Sequence, residues 1–161
     1  MITTRDTILT VTTPSDREIL MTRAFDAPRD LVWEAWTNPA HVPCWMLGPD
    51  GWSMPVCEID LRPGGEWRFV WRRSDGTEME MEGVYREVVP PERLVHTESW
   101  GGDWPETLNT LVLLEKDGRT MMECTILYPS EEARDAALRT GMKDGVEISF
   151  DRLAAYLRDL S

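Results

Sequence analysis

The chain is poor in the side chains that metal and nucleophile chemistry draw on. Its 161 residues include two histidines, His41 and His96, and three cysteines, Cys44, Cys57 and Cys124. His41 and Cys44 form one lone spacing with no second cluster, so closed zinc coordination lacks ligands, and neither a metal nor a cofactor is expected. The cysteines are odd in number and show no CxxC pair, so reduced, buried thiols are the reading. No GxSxG elbow occurs, which leaves a serine nucleophile without its usual setting. Gly64-Gly65 leads into a strand and not into a helix N-terminus, so it is no phosphate loop.

Long apolar runs are missing too. Nothing approaches eighteen consecutive apolar residues, so no membrane span is expected. The opening residues MITTRDTILTV carry Arg5 and Asp6 and no apolar segment with a cleavage site, which points to the cytoplasm. Positive charge is scarce: 17 basic against 29 acidic residues give a net charge of −12, and only Arg72 and Arg73 are adjacent. Such a surface repels phosphate backbones and anionic lipid, so neither nucleic acid nor membrane is an expected partner.

Against these shortages stands an excess of tryptophan and methionine, eight and nine residues beside three Phe and three Tyr. A buried indole N–H wants a partner, and methionine fills irregular space. Together they fit a pocket wall, although a dimer interface enriches the same residues.

In chain order, residues 7–13 and 18–25 read as strands split by Pro14-Ser15-Asp16. Asp26 is placed to cap a helix over about 28–36, with Pro28 in its first turn and Leu31, Val32, Ala35 and Trp36 facing inward. Asn38-Pro39 opens a second short helix that brings Val42, Trp45 and Met46 together. Period-two alternation then predicts strands over 53–62, 66–73, 78–89, 93–100, 107–115 and 119–128, punctuated by Pro63-Gly64-Gly65, Asp75-Gly76, Pro90-Pro91 and Asp117-Gly118. Ser130 caps a helix at 131–139. The segment 141–160 spaces Met142, Val146, Phe150, Leu153, Leu157 and Leu160 three or four apart, one face of a long helix. Gly141, Gly145, Ser149 and Ala154 lie between them and suggest that space is wanted beside it.

The order predicts one α+β domain over residues 1–161, a curved antiparallel sheet with a long C-terminal helix across its concave face. Gly64, Gly65 and Gly83 are the expected places for the curvature.

Several of these segments resemble one family. They are Phe25-Asp26-Ala27-Pro28, Leu31 to Thr37, Asn38-Pro39-Ala40-His41 ahead of Trp45, and Asp60 to Gly65. Asp75-Gly76 before Gly83-Val84-Tyr85, Pro91 to Val95, and Ser149 to Leu153 complete the set. The chain is similar over about residues 18–160 to homologues of the activator of the ninety-kilodalton heat-shock protein's ATPase, within the START-related, birch-pollen-allergen-like SRPBCC superfamily. The resemblance implies a helix-grip fold: two short helices near the N-terminus, and a hydrophobic cavity between sheet and terminal helix. Relatives often carry a second tryptophan where this chain has Met46. The eukaryotic co-chaperones add a chaperone-binding domain for which this chain has no room.

The inner faces converge, if the sheet wraps the helix, on Trp45, Trp67, Phe69, Trp71, Met79, Met81, Tyr85, Trp100, Met142, Val146 and Phe150. Either these residues line a cavity of roughly 300–1,000 Å³, or they pack solid like most small cores. His96 and Glu98 share the inner face of one strand, about 6.5–7 Å apart along the backbone. They are either a general acid–base pair in the cavity or a hydrogen-bonded structural pair. The loop 101–105, with Trp104 at its tip, is equally a lid or an aromatic dimer contact. The leading expectation is binding of a small hydrophobic or aromatic molecule. A cyclase/aromatase- or hydrolase-type enzyme is one alternative, and an interaction protein (a homodimer, or a stress-related client or co-chaperone-like partner) is the other.

Overall fold

The computed structural model describes residues 7–160. Among them the strands are β1 (Thr10–Thr12), β2 (Glu18–Phe25), β3 (Trp52–Ile59), β4 (Glu66–Arg73), β5 (Glu78–Val89), β6 (Arg93–Glu98), β7 (Thr107–Lys116) and β8 (Arg119–Leu127). The helices are α1 (Arg29–Thr37), α2 (Glu131–Arg139) and α3 (Met142–Leu160). All strands join one antiparallel sheet in the order β1-β2-β8-β7-β6-β5-β4-β3, an α+β helix-grip arrangement. Every connection from β3 to β8 is a hairpin, as the turn residues require.

Alternation sets which way each strand faces. In β4 the buried Trp67, Phe69 and Trp71 point inward, while Arg68 and Arg72 pair with Glu80 and Glu78 on the outer side. β5 follows with Met81 and Tyr85 inward. The register breaks between Tyr85 and Glu87, and at β3 between Ser53 and Val56 around Pro55. These irregularities bend the ribbon. Gly64 takes a positive φ of 83° in the turn before β4, a conformation glycine adopts without strain.

Helix α1 begins differently from its sequence expectation. Pro28 occupies the N-cap position and no side chain caps the helix. Asp26 instead receives the Arg119 guanidinium of β8, because an exposed carboxylate gains more from a charged fork than from a neutral N–H. The second short helix shrinks to a single 3₁₀ turn over Val42–Cys44. The following Trp45, which leaves helical backbone, ends it there.

Helix α3 buries Ser149, Phe150, Leu153 and Leu157 against β2, α1 and the turn after it. Phe150 meets Phe25, Trp36 and Trp45 at ring-centroid distances of 6.3, 6.1 and 6.3 Å. Ser149 accepts the Gly48 N–H at 2.8 Å, and Arg152 reaches the Gly48 carbonyl and Asp50. Ser149 thus lets other backbone come close as its spacing suggested, whereas the two glycines do not. Gly141 supplies the positive φ of 76° between α2 and α3, and nothing lies within 4 Å of where a Gly145 side chain would begin.

Candidate functional site

Two concavities flank β4–β6. The inner one is lined by Trp36, Met46, Trp67, Phe69, Met81, Tyr85, Leu94, His96 and Glu98, and its volume is about 40 Å³. That holds about one water, not the several hundred Å³ expected from the fold. The outer one is an open polar groove of about 770 Å³ on the opposite side, running from Glu58 and Asp60 past Arg68 to Glu82 and Glu106. The larger of these two concavities is therefore not between sheet and C-terminal helix. The small inner cavity is roofed by Trp36 of α1 and Met46 of the following turn, and no residue of α3 lines it.

Of the residues expected at the site, Trp67, Phe69, Met81, Tyr85, His96 and Glu98 are brought together there. Trp45 is fully buried, with its indole donating to the Ala35 carbonyl at 2.9 Å, and serves as core. Trp71 donates to the Met46 carbonyl at 2.7 Å and stacks on Trp100 at 5.4 Å, so its indole ties a turn down. Met79 and Trp100 are exposed, 45% and 41%, and do not line the cavity. Met142 and Val146 are half-buried and pack on the core margin, and Phe150 lies behind Trp36. Trp104 is exposed in its loop. The Asp60–Arg62 pair is an exposed bridge in the turn before β4. Sequence spacing missed Met46 and Trp36 as cavity walls. The inward side of α1 named Trp36 correctly but gave no depth.

The polar geometry of the inner cavity is its distinguishing feature. His96 Nε2 lies 3.7 Å from Glu98 Oε2, and both side chains are mostly buried, 14% and 18% exposed. The His96 ring stands edge-on to Trp67 at 5.4 Å and 86°, and to Tyr85 at 6.2 Å. Among the described residues, four buried side-chain polar atoms have no hydrogen-bond partner: Arg23 Nε, Trp36 Nε1, Trp67 Nε1 and His96 Nδ1. Three of these four belong to residues lining the cavity. Each such group forfeits about 1–3 kcal/mol unless something pairs with it. Burial, helped by the nearby Cys57 and Asp60, pushes the Tyr85 phenol well above its ordinary range, so it stays a neutral wall residue.

No group of three or more His, Cys, Asp or Glu side chains that could hold a metal occurs among the described residues. None of the described helices is long and apolar enough to cross a membrane.

Residues 26–158 match the family described as Activator of Hsp90 ATPase homolog 1-like protein. A crystal structure of a Rhodobacter sphaeroides protein is 32% identical, superposes with a TM-score of 0.90, and is matched over 94% of this chain and 99% of its own. A Mycobacterium smegmatis protein (24% identity, TM-score 0.81, 92% of this chain and 96% of that one) shares the fold. So does an AHSA1-like protein of Aeromonas hydrophila (18% identity, TM-score 0.69, 85% and 93%). No sequence among the curated proteins matches this chain.

Proposed function

The chain belongs to the Activator of Hsp90 ATPase homolog 1-like family of the SRPBCC superfamily, and from that footing we propose that it binds a small apolar or aromatic molecule at the Trp36–Trp67–His96 cavity. The observation that carries the reading is that three of the four unpartnered buried polar atoms belong to residues lining one aromatic cavity. A mostly apolar wall with a few polar groups is what small-molecule sites look like.

The cavity of about 40 Å³ must widen for a ring to enter. Its walls are suited to that: Met46 in the roof and Met81 on β5 are unbranched and change rotamer at low cost. Met46 also sits in the turn held to β4 through Trp71.

Native mass spectrometry of the protein incubated with a panel of small aromatic and aliphatic compounds tests this reading. A one-to-one bound mass is expected for aromatic members, together with a change in tryptophan fluorescence. Leu94→Trp, which fills the space from β6, should abolish both. Absence of any bound compound in the native protein, or binding unchanged by Leu94→Trp, overturns the proposal.

Acid–base catalysis on the bound molecule is a second reading, favoured by the 3.7 Å approach of His96 to Glu98 inside the same cavity. Turnover of a bound compound that disappears in His96→Ala would support it. Turnover that persists would remove His96 from any mechanism.

A further inference from the structure

We infer that Cys44 is a modification site, a thiol that takes up half of a low-molecular-weight disulfide while its proton is drawn through the Tyr156 hydroxyl to His41. The site lies apart from the inner cavity and shares no residue with it.

The local chain brings the three groups together. The 3₁₀ turn Val42–Cys44 has His41 at its N-cap, and the Cys44 N–H donates to the His41 carbonyl at 2.9 Å. Residues three apart in such a turn eclipse one another, so the imidazole and the thiol leave it on the same side. Helix α3 passes there, with Leu153 and Leu157 in the core and the half-buried Tyr156 beside them. The Tyr156 hydroxyl lies 2.5 Å from His41 Nδ1, and the two rings are 5.7 Å apart. The same hydroxyl is a hydrogen-bond neighbour of the Cys44 thiol, which also reaches the Ala40 carbonyl at 3.6 Å. A nucleophile, a hydroxyl and a base therefore stand in series across two elements.

The series has one chemical use that its parts lack. Thiolate, not thiol, attacks a disulfide. A phenol donates and accepts at one atom, so it can receive the thiol proton while passing its own to Nδ1. Burial, with the Cys44 thiol beside it, holds the Tyr156 phenol above its ordinary range, so the hydroxyl relays a proton without ionising itself. The result is the cysteine–histidine arrangement of activated nucleophiles with one hydroxyl interposed.

The exchange balances without an outside oxidant. The Cys44 sulfur bonds one sulfur of the disulfide, the original S–S bond breaks, and the other half leaves as a thiolate that takes the proton back from His41. Of the three thiols, Cys44 is the exposed one, while Cys57 is half-buried and Cys124 buried. The net charge of −12 favours a neutral or cationic disulfide over an anionic one.

The test uses bis(2-hydroxyethyl) disulfide, a neutral probe, with adducts at each cysteine followed by peptide mass spectrometry at pH 7. Cys44 in the folded protein is expected to react about tenfold or more faster than Cys44 in the urea-unfolded chain, since a positioned base accelerates and mere exposure does not. Tyr156→Phe keeps the ring and removes the relay oxygen, and His41→Gln removes the base. Each should bring the folded-to-unfolded ratio close to one.

The His41 ring nitrogens supply a readout that packing alone would not move. Capping Cys44 with a methylthio group takes its proton out of the series, so their NMR shifts should change in the parent and stay still in Tyr156→Phe. A folded protein no faster than the unfolded chain, or an advantage that survives Tyr156→Phe, overturns the inference. So does an adduct that forms first on Cys57 or Cys124.

Discussion

A methyl group placed on Gly83 would lie 1.9 Å from the Thr97 carbonyl oxygen and 2.8 Å from Trp67 Nε1. The first neighbour is backbone and cannot swing away. Gly83→Ala should therefore force β5 off β6 where Glu82 and Ser99 still bridge. A loss of about 1–3 kcal/mol is expected from overpacking, read as a lower urea midpoint. A variant as stable as the parent would mean that the two strands separate there without penalty.

Arg23 and Asp151 make an asymmetric ion pair of 2.6 Å between β2 and α3, with the arginine 9% and the aspartate 67% exposed. Removing the exposed partner strands a buried guanidinium whose Nε already lacks an acceptor. Asp151→Ala should cost about 1–2 kcal/mol, discounted because water reaches the vacated position. Arg23→Met keeps the packing over the Phe25 ring and should stay within about 1 kcal/mol of the parent. Urea midpoints showing the arginine variant as the weaker of the two would contradict this.

The three thiols should separate cleanly by reactivity. Cys44 is exposed, Cys57 half-buried and Cys124 buried. Burial pushes Cys57 up to about 11 and Cys124 up to about 12, the latter aided by Glu98 and Glu123. Near pH 8, a colorimetric disulfide reagent should titrate one thiol quickly and one slowly, and reach the third only in denaturant. Rapid release of three equivalents from the native protein would show that the β2–β8–β7 core opens freely.

Alkaline conditions should weaken the fold through those same groups. Thiols with an ordinary value of 9.0 are raised to about 11 and about 12, and Tyr128 is raised by burial and Glu98 from 10.0 to about 12. Below pH 9 folded and unfolded chains both hold these protons, and the stabilisation is fully present. Between about pH 9 and 12 the unfolded chain releases protons that the folded chain retains, so stability falls as pH rises. Urea midpoints should be flat from pH 7 to about 8.5 and decline beyond, less steeply in Cys124→Ala. Midpoints that hold steady to pH 11 would refute the linkage.

Most of the frame was legible because it depends on local periodicity. The alternation of Trp67, Phe69 and Trp71, and of Met81 and Tyr85, fixed the inward faces of β4 and β5. Ser130 does cap α2, accepting the Ala133 N–H at 3.1 Å. Depth was not legible. Whether an inward tryptophan lines a space or fills it depends on the partner its N–H finds on another element. Trp45 finds Ala35 and Trp71 finds Met46, whereas Trp36 and Trp67 find none. Met79 alternates in step with the buried Met81 and is nonetheless exposed, a difference that no spacing within β5 encodes. The family resemblance carried the fold, while the cavity roofed by Trp36 and Met46 measures about 40 Å³.

The interruption at Pro55 reaches beyond the curvature it gives β3. That strand ends the sheet, and its ladder is broken between Ser53 and Val56. Proline has no N–H to offer a newcomer, so a foreign or duplicate strand would meet a gap in the middle of its docking rail. Growth of the ribbon past this border is hindered, and a strand that adds to the sheet is left the opposite edge, the three-residue β1.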